Sequence, residues 1–337
     1  MLNIGALFTP PRPAETVTLA RACENADFDL FALGDSQSLF REVYTSLTVA
    51  AGATSRIRLA TGVSNLLTRH IAVTASTAAT LREVSGDRFI LGLGTGDSAV
   101  YNLGLEAMRR AEFAAGIETL RSLWRGDEVE YDGRRIHVRW ADTRVPIYMT
   151  AEGPKALRLS GQIADGVIVG SGLLPEVVAG SLDLIRAGAH DVGRSLDDID
   201  VWFFAKSNIA DSDEQALGDI AMALAASANH AFRFHRDGKW IPPELADSVA
   251  ELVNRYETRD HEQLGDTGNS RLAADLGLSD YLARRFAVAG APGSVRSRLQ
   301  ELEAIGVKNL LVAGINPDPQ KFVERWASEV RPQLTTT

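Results

Sequence analysis

The sequence predicts an α/β fold, a closed (β/α)8 TIM barrel with a mostly helical insertion before its last strand. Short β-rich runs alternate with helical runs, which gives about eight strands, each followed by a helix. This alternation requires a parallel sheet with helical crossovers. The length of 337 residues is typical of one barrel of this kind.

The strands are short runs rich in apolar residues, and the helices carry apolar residues at helical spacing. The predicted strands are residues 2–8, 28–33, 57–63, 88–93, 146–150, 166–169, 200–208 and 309–313. The predicted helices are residues 13–25, 44–53, 71–84, 105–124, 154–163, 175–192 and 292–305.

An open doubly wound sheet is the other architecture with this alternation. It requires a glycine fingerprint in the first strand–helix turn, but here that turn is Thr9-Pro10-Pro11-Arg12-Pro13. The run Gly92-Leu93-Gly94-Thr95-Gly96 follows the fourth strand and lacks the full dinucleotide-binding spacing. Strand count and length therefore favour the barrel.

Two segments interrupt the alternation. The Asp132-Gly133 pair predicts a β-hairpin within residues 129–140. Residues 210–283 are mostly helical, include a polar run at 257–261, and are expected to cover the barrel mouth. We therefore expect a single domain over residues 1–337, with a frayed tail at 335–337.

Charge and composition narrow the class of protein. The chain has 35 basic and 44 acidic residues, a net charge of −9, which disfavours binding to nucleic acid or anionic membranes. No apolar run approaches the roughly 20 residues of a membrane helix, and no signal peptide opens the chain. Cys23, the single cysteine, fits a reducing compartment, so we expect a cytoplasmic protein.

The active site of such a barrel forms from the loops at the C-terminal ends of the strands. These loops are rich in small and polar residues, which bring backbone N–H groups close to a ligand. The candidate cofactor-binding residues are Asp35, Gln37, Gly62, Val63, Ser64, Asn65, Thr95, Gly96, Glu152, Gly153, Pro154, Lys155, Gly170, Ser171 and Gly172.

Two of these loops suit a phosphate group. Gly153-Pro154 begins a helix whose first N–H groups attract anions, and Lys155 adds a positive charge. Residues 170–172 would close the other side. The alternative interpretation is ordinary helix capping and turns.

Other polar and aromatic residues have two interpretations each. Asp97 is either a catalytic carboxylate or a helix N-cap or loop organiser. His70 is either a ligand contact or a structural group. Phe232, Phe234 and Trp240 either cover a flat ring or pack the inserted helices. The six histidines form no metal-binding spacing, so no metal site is predicted.

Several motifs, in order, resemble those of the bacterial luciferase-like flavin and F420-dependent oxidoreductases. The similarity is greatest to the branch around methylenetetrahydromethanopterin reductase, which uses the deazaflavin F420. It covers nearly the whole chain and is weakest in residues 210–283. The motifs are Thr61-Gly62-Val63-Ser64-Asn65, Thr68-Arg69-His70, Gly92-Leu93-Gly94-Thr95-Gly96-Asp97, Ala151-Glu152-Gly153-Pro154, Ala164-Asp165-Gly166-Val167 and Gly193-Arg194-Ser195-Leu196-Asp197-Asp198-Ile199.

The resemblance implies F420 or FMN in the barrel mouth and a non-prolyl cis peptide within Gly62-Val63-Ser64. It places the cofactor phosphate near residues 152–155 and 170–172. Asp97 matches an acidic position of the reductase branch, and it or His70 would relay a proton. A homodimer is also expected.

Two differences from that branch remove candidate proton donors. The Asp-His pair after the second strand is Asp35-Ser36 here, and the first strand lacks a glutamate. Ser36, Gln37 and His70 remain as polar groups facing the ring, and Ser36 is kept as a catalytic candidate.

Three functions stay open. The first is hydride transfer between F420 and a small organic substrate. The second is a two-component monooxygenase that uses O2 and reduced FMN from a separate reductase. The third is a non-catalytic flavin-binding protein. Substrate specificity would come from residues 210–283 and the loop at 38–43.

Overall fold

The fold is given by a computed structural model that describes residues 2–257 and 267–331. Most of the polar run at 257–261, and the predicted tail at 335–337, lie outside these residues.

Eight parallel strands form a closed barrel, which confirms the predicted fold class. They are β1 (Asn3–Phe8), β2 (Leu30–Leu33), β3 (Arg58–Thr61), β4 (Phe89–Leu93), β7 (Ile147–Ala151), β8 (Gly166–Val169), β9 (Asp200–Ser207) and β10 (Asn309–Gly314), with β5 (Val129–Tyr131) and β6 (Arg134–Ile136) outside the barrel. The barrel closes because β1 pairs with both β2 and β10.

Helices follow the strands and surround the barrel. They are α1 (Pro13–Asn25), α2 (Val43–Ala53), α3 (Ile71–Val84), α4 (Ser98–Tyr101), α5 (Arg110–Trp124), α6 (Pro154–Ile163), α7 (Pro175–Asp191), α8 (Asp213–Phe232), α9 (Ala246–Arg255), α10 (Gly268–Asp275), α11 (Ser279–Phe286), α12 (Pro292–Ala304) and α13 (Pro319–Arg325). Five of these helices have proline in the first turn (α1, α6, α7, α12 and α13), where its missing N–H costs nothing.

The core has three parts. The barrel interior is filled by side chains such as Leu30, Ile90, Ile168, Trp202 and Leu311. A larger apolar cluster lies between the strands and the surrounding helices. A third cluster lies within the helices α8 to α11, between β9 and α12. Helices α8 to α11 therefore share an apolar core of their own.

The predicted helix at 105–124 was wrong at its start, because α5 begins only at Arg110. Gly104 adopts a left-handed backbone, with φ of +71°, and the Met108 N–H donates to the Thr95 carbonyl over 2.8 Å. These two features hold the segment before Arg110 as a loop along the end of β4. The spacing of apolar residues does not indicate the hydrogen bond between Met108 and Thr95.

A small antiparallel hairpin lies beside the barrel. β5 pairs with β6 through Asp132 and Gly133, which both have positive φ. Tyr131 in this hairpin packs edge-on against His70. Among the described residues, no helix combines the length and apolar character needed to cross a bilayer.

Helices α6 and α7 approach each other closely because glycines lie at their contact. A Cβ on Gly188 would overlap the carbonyl oxygen of Arg158, and one on Gly161 would overlap that of Ile185. Any larger residue at either position would force the two helices apart.

We expect Gly188→Ala to lower the free energy of unfolding by about 2 kcal/mol through this overlap. Gly218, exposed on α8 with no heavy atom within 4 Å of the position that a Cβ would occupy, is the matched control. Gly218→Ala is expected to raise stability by roughly 0.5–1 kcal/mol through helix propensity. Urea denaturation measures both, and equal midpoints for the two variants would contradict this packing.

Candidate active site

A charged network joins the insertion to two loops at the barrel mouth. His230 lies near the end of α8. Its Nε2 lies 2.8 Å from a carboxylate oxygen of Asp97, just after β4, and its Nδ1 lies 2.6 Å from Glu152, just after β7. Arg233, one helical turn further, contacts Asp97 at 3.2 Å. Two cationic and two acidic side chains therefore meet across the mouth.

The network fixes the protonation of its members. The negative charge of Glu152, together with hydrogen bonds to both carboxylates, raises the pKa of His230 to about 10 against the opposing effect of burial. Burial alone would raise the pKa of Asp97, but the hydrogen bonds and charges of His230 and Arg233 hold it well below its usual range. At neutral pH the proton of the network therefore resides on His230.

This arrangement does not converge on a metal ion. Asp97 and Glu152 contact opposite nitrogens of the His230 imidazole. Their carboxylate oxygens therefore do not face a common position where a metal ion could bind. Within residues 2–257 and 267–331, no group of three or more His, Cys, Asp or Glu side chains is placed to hold a metal.

Asp35 was expected to contact a cofactor, but its carboxylate is enclosed by protein groups. Ser64 Oγ donates to it over 2.6 Å, and the Arg69 guanidinium binds it at 2.6 and 3.1 Å. The same guanidinium also contacts Glu42 and lies 4.8 Å from the Tyr44 ring centre. Only 1% of the Asp35 side chain is exposed. Asp35 therefore holds the β3 loop in place and does not present its charge to a ligand.

Three more predicted residues hold neighbouring loops. Ser98 Oγ donates to Ser36 Oγ over 3.0 Å, and Gln37 Nε2 donates to the Ala99 carbonyl over 2.7 Å. Both bonds tie the β2 loop to α4. The Asn65 side-chain oxygen accepts two backbone N–H groups of its own loop. These contacts are structural.

The floor of the mouth lies between the ends of β3 and β4. The Gly62–Val63 peptide is cis, at the position that the resemblance implies. A Cβ on Gly94 would lie 3.0 Å from Thr150 Oγ1 and 3.1 Å from Val63. Small residues therefore pack closely at the end of β4, and a side chain at Gly94 would have to displace Thr150 or Val63.

The start of α6 faces the insertion. Gly153 is the N-cap of α6 and receives no side-chain cap. A Cβ there would lie 3.2 Å from the His235 ring and 3.5 Å from Cε of Lys239. Lys239 is 4% exposed, its ammonium donates to the Ala231 carbonyl, and burial lowers its pKa. Pro154 packs beside Gly238. The His235 and Lys239 side chains of the insertion therefore lie beside this helix start.

The Lys155 and His70 side chains do not take the positions predicted for a cofactor contact and a proton relay. The Lys155 side chain is exposed in a surface groove between α5 and α6, near Arg110 and Arg158. His70 is exposed and caps α3, its Nδ1 accepting from the Ala72 N–H over 3.2 Å. The sequence could not show these directions, and for His70 the structure supports the structural interpretation.

The predicted loop at 170–172 packs against Glu152 and the insertion. A Cβ on Gly170 would lie 2.5 Å from Glu152 Oε1. Gly172 has φ of +120° and lies against Arg285. The Arg285 Nε donates to the Ser171 carbonyl over 2.9 Å. This loop therefore connects the β8 end to α11.

In the β4 loop, Gly96 has φ of +121° and packs on Val100. The Thr95 carbonyl accepts a hydrogen bond from the Met108 N–H, two residues before α5 begins. Both residues position Asp97, whose side chain makes no capping bond to α4. Asp97 therefore occupies the N-cap position of α4, but its carboxylate binds His230 and Arg233 and not the helix N–H groups.

The sequence did not identify four residues of the insertion that lie at the mouth: His230, Arg233, His235 and Lys239. A signal was present, because α8 carries no charged residue after Asp219 until the histidine near its end. Of the aromatic candidates, Phe232 is fully buried and Trp240 packs on Gly180 of α7, whereas Phe234 is 71% exposed.

Known families provide a comparison for this geometry. The model of the luciferase-like monooxygenase family matches residues 3–309. The chain belongs to this family. The predicted resemblance is thereby confirmed, and the protein is a luciferase-like oxidoreductase.

Three relatives of this luciferase-like chain are informative. The 5,10-methylenetetrahydromethanopterin reductase of Methanopyrus kandleri is 31% identical, with 97% of each chain covered. The F420-dependent glucose-6-phosphate dehydrogenase of Nakamurella multipartita is 27% identical, covering 96% of this chain and 93% of that protein. The solved coenzyme F420 dependent tetrahydromethanopterin reductase from Methanopyrus kandleri has a TM-score of 0.77 at 27% identity, with 98% and 99% covered.

We expect the His230 imidazole to remain protonated well above pH 8, because its folded-state pKa is raised to about 10 from an ordinary 6.5. The stabilisation from this shift is complete below pH 6.5 and is lost as the pH rises through 10. NMR titration of labelled histidines measures this, with His230→Gln identifying the signal.

In the same experiment, Glu152→Gln is expected to lower the pKa of His230, because the Glu152 charge is the largest contribution to the shift. Asp183→Asn, which removes an exposed carboxylate on the outer helix α7, is the control. An unchanged His230 titration in Glu152→Gln would show that the two groups do not interact.

Proposed function

We propose that this protein is an F420-dependent oxidoreductase that transfers a hydride between F420 and a small organic substrate. One observation carries the proposal. Full-length relatives named for different reactions, a tetrahydromethanopterin reductase and a glucose-6-phosphate dehydrogenase, are both described as F420-dependent. The cofactor is therefore what these relatives share, while the substrate differs.

The described residues fit the ring of such a cofactor. The residues at the ends of β3 and β4, where the ring would lie, have small side chains or none: Gly62, Val63 and Gly94, with Thr150 beside Gly94. When bound, F420 supplies two-electron hydride chemistry, and the protein supplies position and charge.

The start of α6 fits the phosphate. Gly153 leaves it uncapped, and His235 and Lys239 lie beside it. Helix N-termini favour negative charge, and a nearby ammonium adds to this preference. Residues 170–172 lie next to Glu152, on the other side of the start of α6. They form the second of the two loops predicted to bind the phosphate.

The proton available at the mouth is on His230. Asp97 is ionised and orients the Nε2–H, while Glu152 orients the Nδ1–H. We assign the proton-relay function to this Asp97–His230 pair, in place of His70 and Ser36, which hold other loops.

A monooxygenase that uses reduced FMN is the second candidate, favoured by the name of the matching family model. It would receive reduced FMN from a separate reductase. The same ring and phosphate sites would serve it, so cofactor affinity distinguishes the two functions.

Titration of the purified protein with F420 and with FMN, each oxidised and reduced, is the deciding measurement. We expect micromolar F420 affinity and an FMN affinity at least about tenfold weaker, a difference of roughly 1.4 kcal/mol. A preference for reduced FMN would instead support the monooxygenase. Binding of neither would contradict both functions.

The phosphate position is tested by a matched pair at Gly153, whose extended backbone (φ −123°, ψ 160°) suits any N-cap residue. Aspartate caps helices well but places a like charge beside a phosphate. We expect Gly153→Asp to weaken F420 at least about tenfold, and Gly153→Asn, similar in shape and uncharged, to weaken it about twofold or less.

Both variants place the same Cβ 3.2 Å from the His235 ring and are comparable N-caps, so their thermal stabilities should be equal. Equal F420 affinities for the aspartate and asparagine variants would place the phosphate elsewhere.

A further inference from the structure

Exposed apolar side chains concentrate at one side of the mouth. Nine large apolar side chains of the described chain are exposed, and five of them lie at this end of the barrel, four on loops and one at the end of α4. These five are Leu39, Tyr101, Leu103, Leu105 and Phe234. Clustered exposed apolar groups mark binding surfaces more often than isolated ones do.

Two of these side chains are held around one guanidinium. The Arg233 guanidinium carbon lies 4.9 Å from the ring centre of Phe234 and 5.6 Å from that of Tyr101. Phe234 is 71% exposed and Tyr101 is 40% exposed. We call these two residues the aromatic rim. A stacked guanidinium orders both rings while leaving much of their surface free.

The charge at the rim is already neutralised. Arg233 makes contacts of 3.2 Å with both carboxylate oxygens of Asp97, which also binds His230. An anionic ligand at the rim would have to compete with this ion pair. The exposed ring surfaces carry no charge of their own, and they favour a flat, uncharged occupant.

The rim is continuous with the proposed reaction site. Tyr101 ends α4, four residues after Asp97, and Arg233 bonds to that same carboxylate. Gln37 joins the loop of Leu39 to α4 through the Ala99 carbonyl. A molecule with one end at the Asp97–His230 pair would therefore extend over the rim.

We propose that Tyr101 and Phe234 are specificity-determining residues that bind a flat, apolar and uncharged part of the substrate. The proposal rests on the proposed function, since it places this part of the substrate beside the Asp97–His230 pair. It predicts substrates with an aromatic or similarly planar portion next to the reacting group.

Equilibrium dialysis of the F420-loaded protein against 2-naphthol, with 2-naphthoate as the charged analogue, tests this proposal. We expect Tyr101→Ala and Phe234→Ala each to weaken 2-naphthol binding about fivefold, and the double variant to weaken it at least about tenfold. Trp140→Ala, which removes a ring that is 49% exposed on another surface, should leave the affinity within about twofold.

Unchanged 2-naphthol affinity in the double variant, or no binding by the unaltered protein, would overturn the proposal. Tighter binding of 2-naphthoate than of 2-naphthol would overturn the assignment to an uncharged group. The F420 affinity of the double variant should equal that of the unaltered protein.

If the protein binds no F420, the proposed function fails separately, and dialysis of the protein alone still decides whether the rim binds 2-naphthol. The two proposals therefore have distinguishable failures.

Discussion

The protonated imidazole of His230 holds the barrel mouth together. Without it, Glu152 would lose its hydrogen-bonded cationic partner and Asp97 would keep only Arg233. With it, each carboxylate has a hydrogen bond to the same imidazole. This contact joins α8 to the loops after β4 and β7, close to where His235 and Lys239 approach α6. Such partly enclosed charges are costly to separate, because removal of one partner leaves the others uncompensated.

The sequence was sufficient to predict the barrel because its signals are local. Apolar runs, prolines at helix starts and the Asp132-Gly133 turn each depend on neighbouring residues, and the strand order follows from the rule for parallel crossovers. The start of α5 was wrong because it depends on a hydrogen bond to Thr95, which is not visible in apolar spacing. The family motifs extended the prediction to the cis peptide at Gly62–Val63.

The candidate site was only partly predictable. The loops at the strand ends were correctly placed at the mouth, but their partners come from distant parts of the chain: His230 is 78 residues from Glu152, and Arg233 is 136 residues from Asp97. No local pattern links such residues. Side-chain direction was equally inaccessible, so Lys155 and Asp35 were assigned to a ligand although one lies on the outer surface and the other is enclosed.

The fully buried Arg285 attaches the insertion to the barrel in a way that has an evolutionary consequence. Its guanidinium donates to the main-chain carbonyls of Ser171, Lys239 and Trp240. A main-chain carbonyl is present whatever side chain a position carries. Mutations along the inserted segment can therefore change the chemistry that faces the substrate without breaking this attachment. The inserted segment can therefore change in sequence by drift while it stays attached to the barrel.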